Sequence, residues 1–130
     1  MNLHDITESI HSDERGWVAN PFEGFRKFDM KKGHLHTGSI EPGAVRGNHF
    51  HPEAHELIFT FGGDCLWYWE EDGVINKSVI AAERAVVVEI PPKIAHAVRN
   101  ISENTVYFLS YQNETLNKTL AETRKKTIYK

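Results

Sequence analysis

From position 49 to position 56 the chain reads HFHPEAHE, three histidines and two glutamates in eight residues. Imidazole nitrogens and carboxylate oxygens are ligands for divalent first-row metals, and the same groups move protons near neutral pH. Such a run could also be a polar turn, so its meaning depends on what the rest of the chain adds to it. In an extended strand residues i and i+2 share a face, so His49 and His51 present their imidazoles to one side and Phe50 faces the other. Pro52 interrupts that strand, and Glu56 opens the apolar run HELIFTF. His55 and Glu56 are adjacent, so they point opposite ways and only one of them joins the histidine pair. His55 reads as the outward residue, or as one that orients a ligand through a hydrogen bond.

Farther along, the segment EIPPKIAHAVRN follows the apolar run Ala85 to Ile90. Pro91 and Pro92 force a turn without backbone donors, and His96 begins another strand. Three imidazoles and one carboxylate meeting inside a barrel would suit Zn, Fe, Mn, Ni or Co, with further positions open to water or substrate. Other chemistry-bearing residues read more plainly. His34 and His36 are strand residues at a barrel rim, outside any chemistry. Trp67, Tyr68 and Trp69 fill a core or dimer face, or form a wall against a substrate ring. Cys65 is an inert buried thiol, and Asn100 stabilises a turn at the end of its strand.

The elements that must position these groups are short strands. LHTGSIE, HELIFTF, DCLWYWEE, SVIAAE, AVVVEI, HAVRNI and TVYFLSYQ are rich in β-branched and aromatic residues and fenced by Gly, Asn, Asp or Pro. GGD and EEDGV read as tight turns between them. The spacing predicts an all-β antiparallel sandwich or small barrel, one domain over residues 1–130. HELIFTF is apolar on both parities, so one face lines the barrel and the other is covered by a second sheet or a subunit. A two-fold homodimer on that face is the expected assembly. Helix signals are confined to the ends: DITESIHS for one or two turns, and ETLNKTLAETRKK, where Leu116 and Leu120 suit a short amphipathic helix. Deleting residues 114–130 is expected to change assembly or stability before it touches metal binding.

The spacing Gly43-x5-His49-x-His51-x4-Glu56-x6-Gly63 resembles the first motif of the cupin superfamily at every defining position. The second cupin motif is met at Pro91, His96 and Asn100 and missed at Ala85 and Lys93, where the family prefers glycine. The resemblance covers roughly residues 35–112. It implies a double-stranded β-helix (jelly roll) with short helical or irregular N- and C-terminal extensions, and His49, His51, Glu56 and His96 as ligands of one divalent transition metal. RGNHFH and IPPKIAH, after SDERGWVANPF, further resemble the nucleotide-sugar epimerases and ketoisomerases among the cupins. By position, that likeness implies His49 as the base that removes a proton beside a sugar ketone and Arg46 as the contact for an anionic part of the substrate. Several such enzymes lack the full ligand set and work without metal, whereas this chain keeps Glu56 and His96.

Composition narrows the partners. The chain has 130 residues, 40% of them apolar and 25% charged, with a formal net charge of -3. Such a balance favours a small-molecule ligand over nucleic acid or membrane, and the basic tail TRKKTIYK reads as a solvated terminus. One cysteine forms no internal disulfide, and the first residues carry no apolar leader-like run, so a reducing cytoplasm is the expected location. The functional expectation is a metal-binding cupin enzyme acting on a sugar or nucleotide-sugar by epimerase- or isomerase-type proton transfer. Two alternatives stand beside it: an Fe-dependent dioxygenase with the same ligands, and a non-catalytic module that only binds a small ligand.

Overall fold

The β-branched and aromatic runs pair as antiparallel strands in a computed structural model that describes residues 1–129. In chain order the strands are β1 (Asn2–Asp5), β2 (His11–Asp13), β3 (Gly16–Val18), β4 (His34–Ile40), β5 (Val45–Phe50), β6 (Glu56–Phe61), β7 (Cys65–Glu71), β8 (Val74–Ile80), β9 (Val86–Ile90), β10 (His96–Asn100), β11 (Val106–Gln112) and β12 (Arg124–Lys125). One helix, α1 (Leu116–Glu122), precedes β12. One sheet runs β1-β9-β6-β11-β4 and faces a second, β12-β5-β10-β7-β8, while β2 and β3 form a separate hairpin. This is the all-β jelly roll that the cupin motifs imply.

Alternation along each strand divides inside from outside. Ile40, Cys65, Trp67, Ile80, Val86, Val88, Ile90, Val98 and Val106 meet between the sheets as the core. Toward the other end of the interior the lining turns polar. There Glu56 starts β6, Gln112 ends β11 as its cross-strand neighbour, and His96 starts β10 opposite His49 on β5. Antiparallel pairing thus brings the ends of four strands to one place, although their residues are far apart in sequence.

The second apolar face of β6 is covered differently from the expectation. Leu57, Phe59, Val87 and Tyr111 pack beneath Ile6, Ile10, Ala19, Phe22, Phe25 and Phe28, so the chain's own N-terminal segment, and not a second sheet, covers this face within the chain. The Tyr111 hydroxyl ties this layer down by donating to the backbone carbonyls of Asp29 and Lys32, at 3.0 and 2.8 Å. The expected helical and irregular extensions are present, the turns of residues 19–33 and helix α1, and short strands accompany them. DITESIHS forms one 3-10 turn, Thr7–Ser9, between two strands, and β1 extends the first sheet through β9. At the other end β12 closes the open edge of β5. Helix α1 forms as expected, but Leu116 and Leu120 are exposed and Thr119 is its buried residue. No helix among the described residues is long and apolar enough to cross a membrane.

Candidate metal and substrate site

Gly47 explains how β5 reaches β10. Its backbone lies at φ 95°, and a Cβ there would come within 2.7 Å of the His96 carbonyl oxygen. Together with Asn48 at φ 56° it makes an irregularity in the β5–β10 register, which moves from Ala97 opposite Gly47 to His96 opposite His49. That extra residue turns His49 inward beside His96. The loop before His96 holds its shape through Lys93, which takes φ 72° where the family prefers glycine and donates its N–H to the His51 carbonyl at 2.8 Å.

His49, His51 and His96 converge, with ring centroids 4.8 Å apart for His49–His51 and His49–His96 and 5.8 Å for His51–His96. One ligand atom from each lies within 4.8 Å of the others. Glu56 joins them: its Oε1 is 3.6 Å from His51 Nε2 and 3.4 Å from His96 Nε2. His51, His96 and Glu56 are all buried.

The surrounding hydrogen bonds decide what these atoms are. Glu56 Oε2 accepts from the Ser110 hydroxyl at 2.7 Å and from Gln112 Nε2 at 2.6 Å, which leaves Oε1 free. His96 Nδ1 lies 3.0 Å from the Ile94 carbonyl, an acceptor only, so Nδ1 carries a hydrogen and, in the neutral ring, Nε2 carries a lone pair. His51 Nδ1 is 3.0 Å from Thr123 Oγ1. The inward atoms His51 Nε2, His96 Nε2 and Glu56 Oε1 are buried with no hydrogen-bond partner. Two imidazole nitrogens and a carboxylate oxygen facing one another need a shared partner: a proton on one imidazole, a water or a metal ion. The donor set of two or three imidazoles and one carboxylate fits a divalent transition metal.

Electrostatics fit the same picture. Burial alone would raise the Glu56 carboxyl, but hydrogen bonds and positive charge from His51 and His96 in their protonated form outweigh that and hold it well below the usual carboxylate range, so this carboxylate favours a cation beside Oε1. Burial, with the neighbouring His96 and His51, pushes His49 down to about 4, so it is neutral at neutral pH. Unlike His51 and His96, neither His49 nitrogen is fixed by a protein hydrogen bond among the described residues.

His49, Glu56 and His96 open onto a cavity of about 500 Å³ whose walls include Trp67, Phe108 and Arg46. Arg46 sits exposed at its edge, its Nε donating to the Ser39 carbonyl at 2.7 Å, and it makes no ion pair among the described residues. His36, read from the sequence as a rim residue without chemistry, also lines this cavity, stacked on His34 and edge-on to Phe108. Its parity with buried Ile40 on β4 is the signal that could have placed it there. His55 faces the outer side of the sheet, as its parity requires, and contacts Glu89 at 2.9 Å. Trp67 is fully buried between core and cavity. Burial pushes the Cys65 thiol up to about 11, in keeping with an inert role. Asn100 holds the turn after β10 through Ile40, Ser102 and Asn104.

The chain belongs to the family described as the polysaccharide biosynthesis C-terminal domain, which it matches over residues 11–124. Among solved structures it is similar to the capsular polysaccharide assembling protein CapF from Staphylococcus aureus, at 20% identity and a TM-score of 0.67 over 75% of this chain and 27% of that one. ChmJ, a 3'-monoepimerase from Streptomyces bikiniensis seen with dTDP-quinovose, is 20% identical with a TM-score of 0.73, over 89% and 65% of the two chains. A 3,4-ketoisomerase from Helicobacter canadensis is 16% identical with a TM-score of 0.72, over 97% and 92%. At these identities the likeness is one of fold, and this chain spans about a quarter of the length of CapF. No curated protein matches the chain in sequence.

Proposed function

We propose that this chain is a metal-binding cupin enzyme that moves a proton on a sugar or nucleotide-sugar. The observation that carries the proposal is the set of three buried inward atoms, His51 Nε2, His96 Nε2 and Glu56 Oε1, with no hydrogen-bond partner among the described residues. These three residues would hold the ion. A divalent cation bound there supplies Lewis-acid polarisation of a carbonyl or hydroxyl oxygen. Ser110 and Gln112 hold Oε2 and so aim Glu56 Oε1 inward, and the Nδ1 hydrogen bond of neutral His96 keeps its lone pair there.

His49 was expected both as a ligand and as the base. We assign it the second role, because its ring borders the cavity and no hydrogen bond pins it, in contrast to His51 and His96. Held neutral by burial, it has a lone pair with which to accept a proton from a carbon next to a ketone. Arg46, at the cavity edge without a carboxylate partner, would meet an anionic part of the substrate, and Trp67 and Phe108 would offer a ring an apolar wall. The similar fold of the 3'-monoepimerase seen with dTDP-quinovose supports the substrate class, and that of the 3,4-ketoisomerase supports the reaction type.

The test is solvent exchange. Metal-loaded protein incubated with nucleotide-linked keto sugars in D2O should introduce deuterium beside the ketone, read by proton NMR. His49→Asn should abolish exchange while retaining metal, and Arg46→Ala should raise KM more than it lowers kcat. Tight sugar binding with no exchange across the panel would replace the enzyme reading with the binding-module one. Turnover that requires oxygen would replace it with the dioxygenase reading.

A further inference from the structure

The segment after β11 returns to the barrel and touches the cluster at one atom. Thr123, at the C-terminal end of α1, has a single hydroxyl hydrogen. Its Oγ1 lies 2.6 Å from the Thr119 carbonyl oxygen, which can only accept, so that hydrogen is committed there. The 3.0 Å contact between Thr123 Oγ1 and His51 Nδ1 must then run the other way, with Nδ1–H as the donor. A neutral imidazole with its hydrogen on Nδ1 carries its lone pair on Nε2, the atom that faces Glu56 Oε1 inside the barrel.

We propose that Thr123 is a positioning residue for the metal site: the C-terminal segment fixes the His51 tautomer and ring orientation in which Nε2 is a ligand. The placement of Thr123 is itself secured on both sides. Before it, Thr115 caps α1 by accepting from the Lys118 N–H. After it, β12 pairs with Phe50 and His49, and the Asn48 side chain accepts from the Ile128 and Tyr129 N–H groups at 3.0 Å each. Arg99 and Tyr68 receive Tyr129 through a 2.7 Å hydrogen bond and a stacked ring. The left-handed Asn48 that turns His49 inward is thus also the residue that latches the chain end. The tail and the site share contacts, so deleting residues 114–130 should weaken metal binding together with stability.

The inference rests on the metal reading above, and two readouts keep the two apart. Long-range proton–nitrogen NMR of the metal-free protein reports the His51 tautomer without any metal. Competition between the protein and a chromophoric chelator for Zn2+ reports affinity. Wild type and Thr123→Ser should show His51 protonated on Nδ1 and bind Zn2+ alike. Thr123→Val, which keeps the shape and loses the hydroxyl, should shift His51 toward the Nε2–H form and weaken Zn2+ by about 10- to 100-fold. A Thr123→Val protein with wild-type tautomer and wild-type affinity would overturn the proposal, as would a tautomer shift without loss of affinity. If wild type itself binds no Zn2+, the metal reading falls, and the tautomer comparison alone decides whether Thr123 orients His51.

Discussion

Two carboxylates on neighbouring strands of one sheet each gather basic groups, and they end in opposite conditions. Glu56 on β6 faces inward to His51 and His96; Glu89 on β9 is the cross-strand partner of Leu57 and faces outward to His4, His55 and Lys27. Around Glu89 every oxygen is met: His4 at 2.8 Å on Oε1, His55 at 2.9 Å and Lys27 at 2.5 Å on Oε2. Phe25 and Phe28 lie edge-on to His4 and His55, so the cluster is also packed. Around Glu56 one oxygen is satisfied, while the other faces two nitrogens that have committed their hydrogens elsewhere. The outer cluster is a closed strut that fastens the N-terminal segment to the barrel. The inner one is a socket, and similar residue types become one or the other according to where their hydrogens point.

Removing the socket's charge is the most damaging way to test this contrast. Glu56→Gln should weaken Zn2+ binding by at least about 100-fold, beyond the loss of a merely supporting hydrogen bond, as measured by chelator competition. The matching change outside, Glu89→Gln, should leave Zn2+ affinity unchanged and instead cost about 1–3 kcal/mol of stability, measured by urea unfolding. If Glu89→Gln strips metal, or Glu56→Gln does not, the division between strut and socket is wrong.

Acid sharpens the same contrast. Burial raises the Glu89 carboxyl, but the donors Lys27, His4 and His55 more than offset it and hold it at about 2, against an ordinary 4.5. A folded-state value below the unfolded one means that the unfolded chain takes the proton first. Glu89 therefore contributes its full stabilisation above pH 4.5 and loses it as pH falls from about 4.5 to about 2. Across that window wild type should lose more stability than Glu89→Gln, so their unfolding midpoints should converge in acid. Parallel curves would show that Glu89 is not held by its donors.

The smallest effect concerns the loop that carries His96 into the socket. Lys93→Gly should raise stability by no more than about 1 kcal/mol, since relief of the left-handed backbone is partly offset by the entropy of glycine. Metal affinity should be unchanged. A loss of affinity would mean that the Lys93 side chain, and not only its N–H to His51, supports the site.

Much of the socket was legible in the sequence because period-2 alternation acts locally. It sends His55 away from Glu56, and the cupin spacings name His51, Glu56 and His96. What stayed hidden depends on pairings between distant segments. Nothing local shows that MNLHD adds a strand beside β9, or that Phe22, Phe25 and Phe28 cover β6; those aromatics find their place only once the sheet exists. Gly47 and Asn48 sit inside the motif, yet the irregularity they make is decided by the approach of β10. Thr123 reads as an unremarkable polar residue near a helix end until the chain folds back across β5. His36 was legible in principle, from its parity with Ile40, but strand parity does not say which end of a barrel is polar.

If the inner cluster alone is a cation site, calorimetric titration of metal-free protein with Zn2+ should distinguish it from the outer one. Wild type and His55→Ala should each take up one equivalent with the same affinity, while His51→Ala and His96→Ala should lose that binding. Uptake that survives both inner substitutions, or that disappears with His55→Ala, would mean that the cation does not sit between His51, Glu56 and His96.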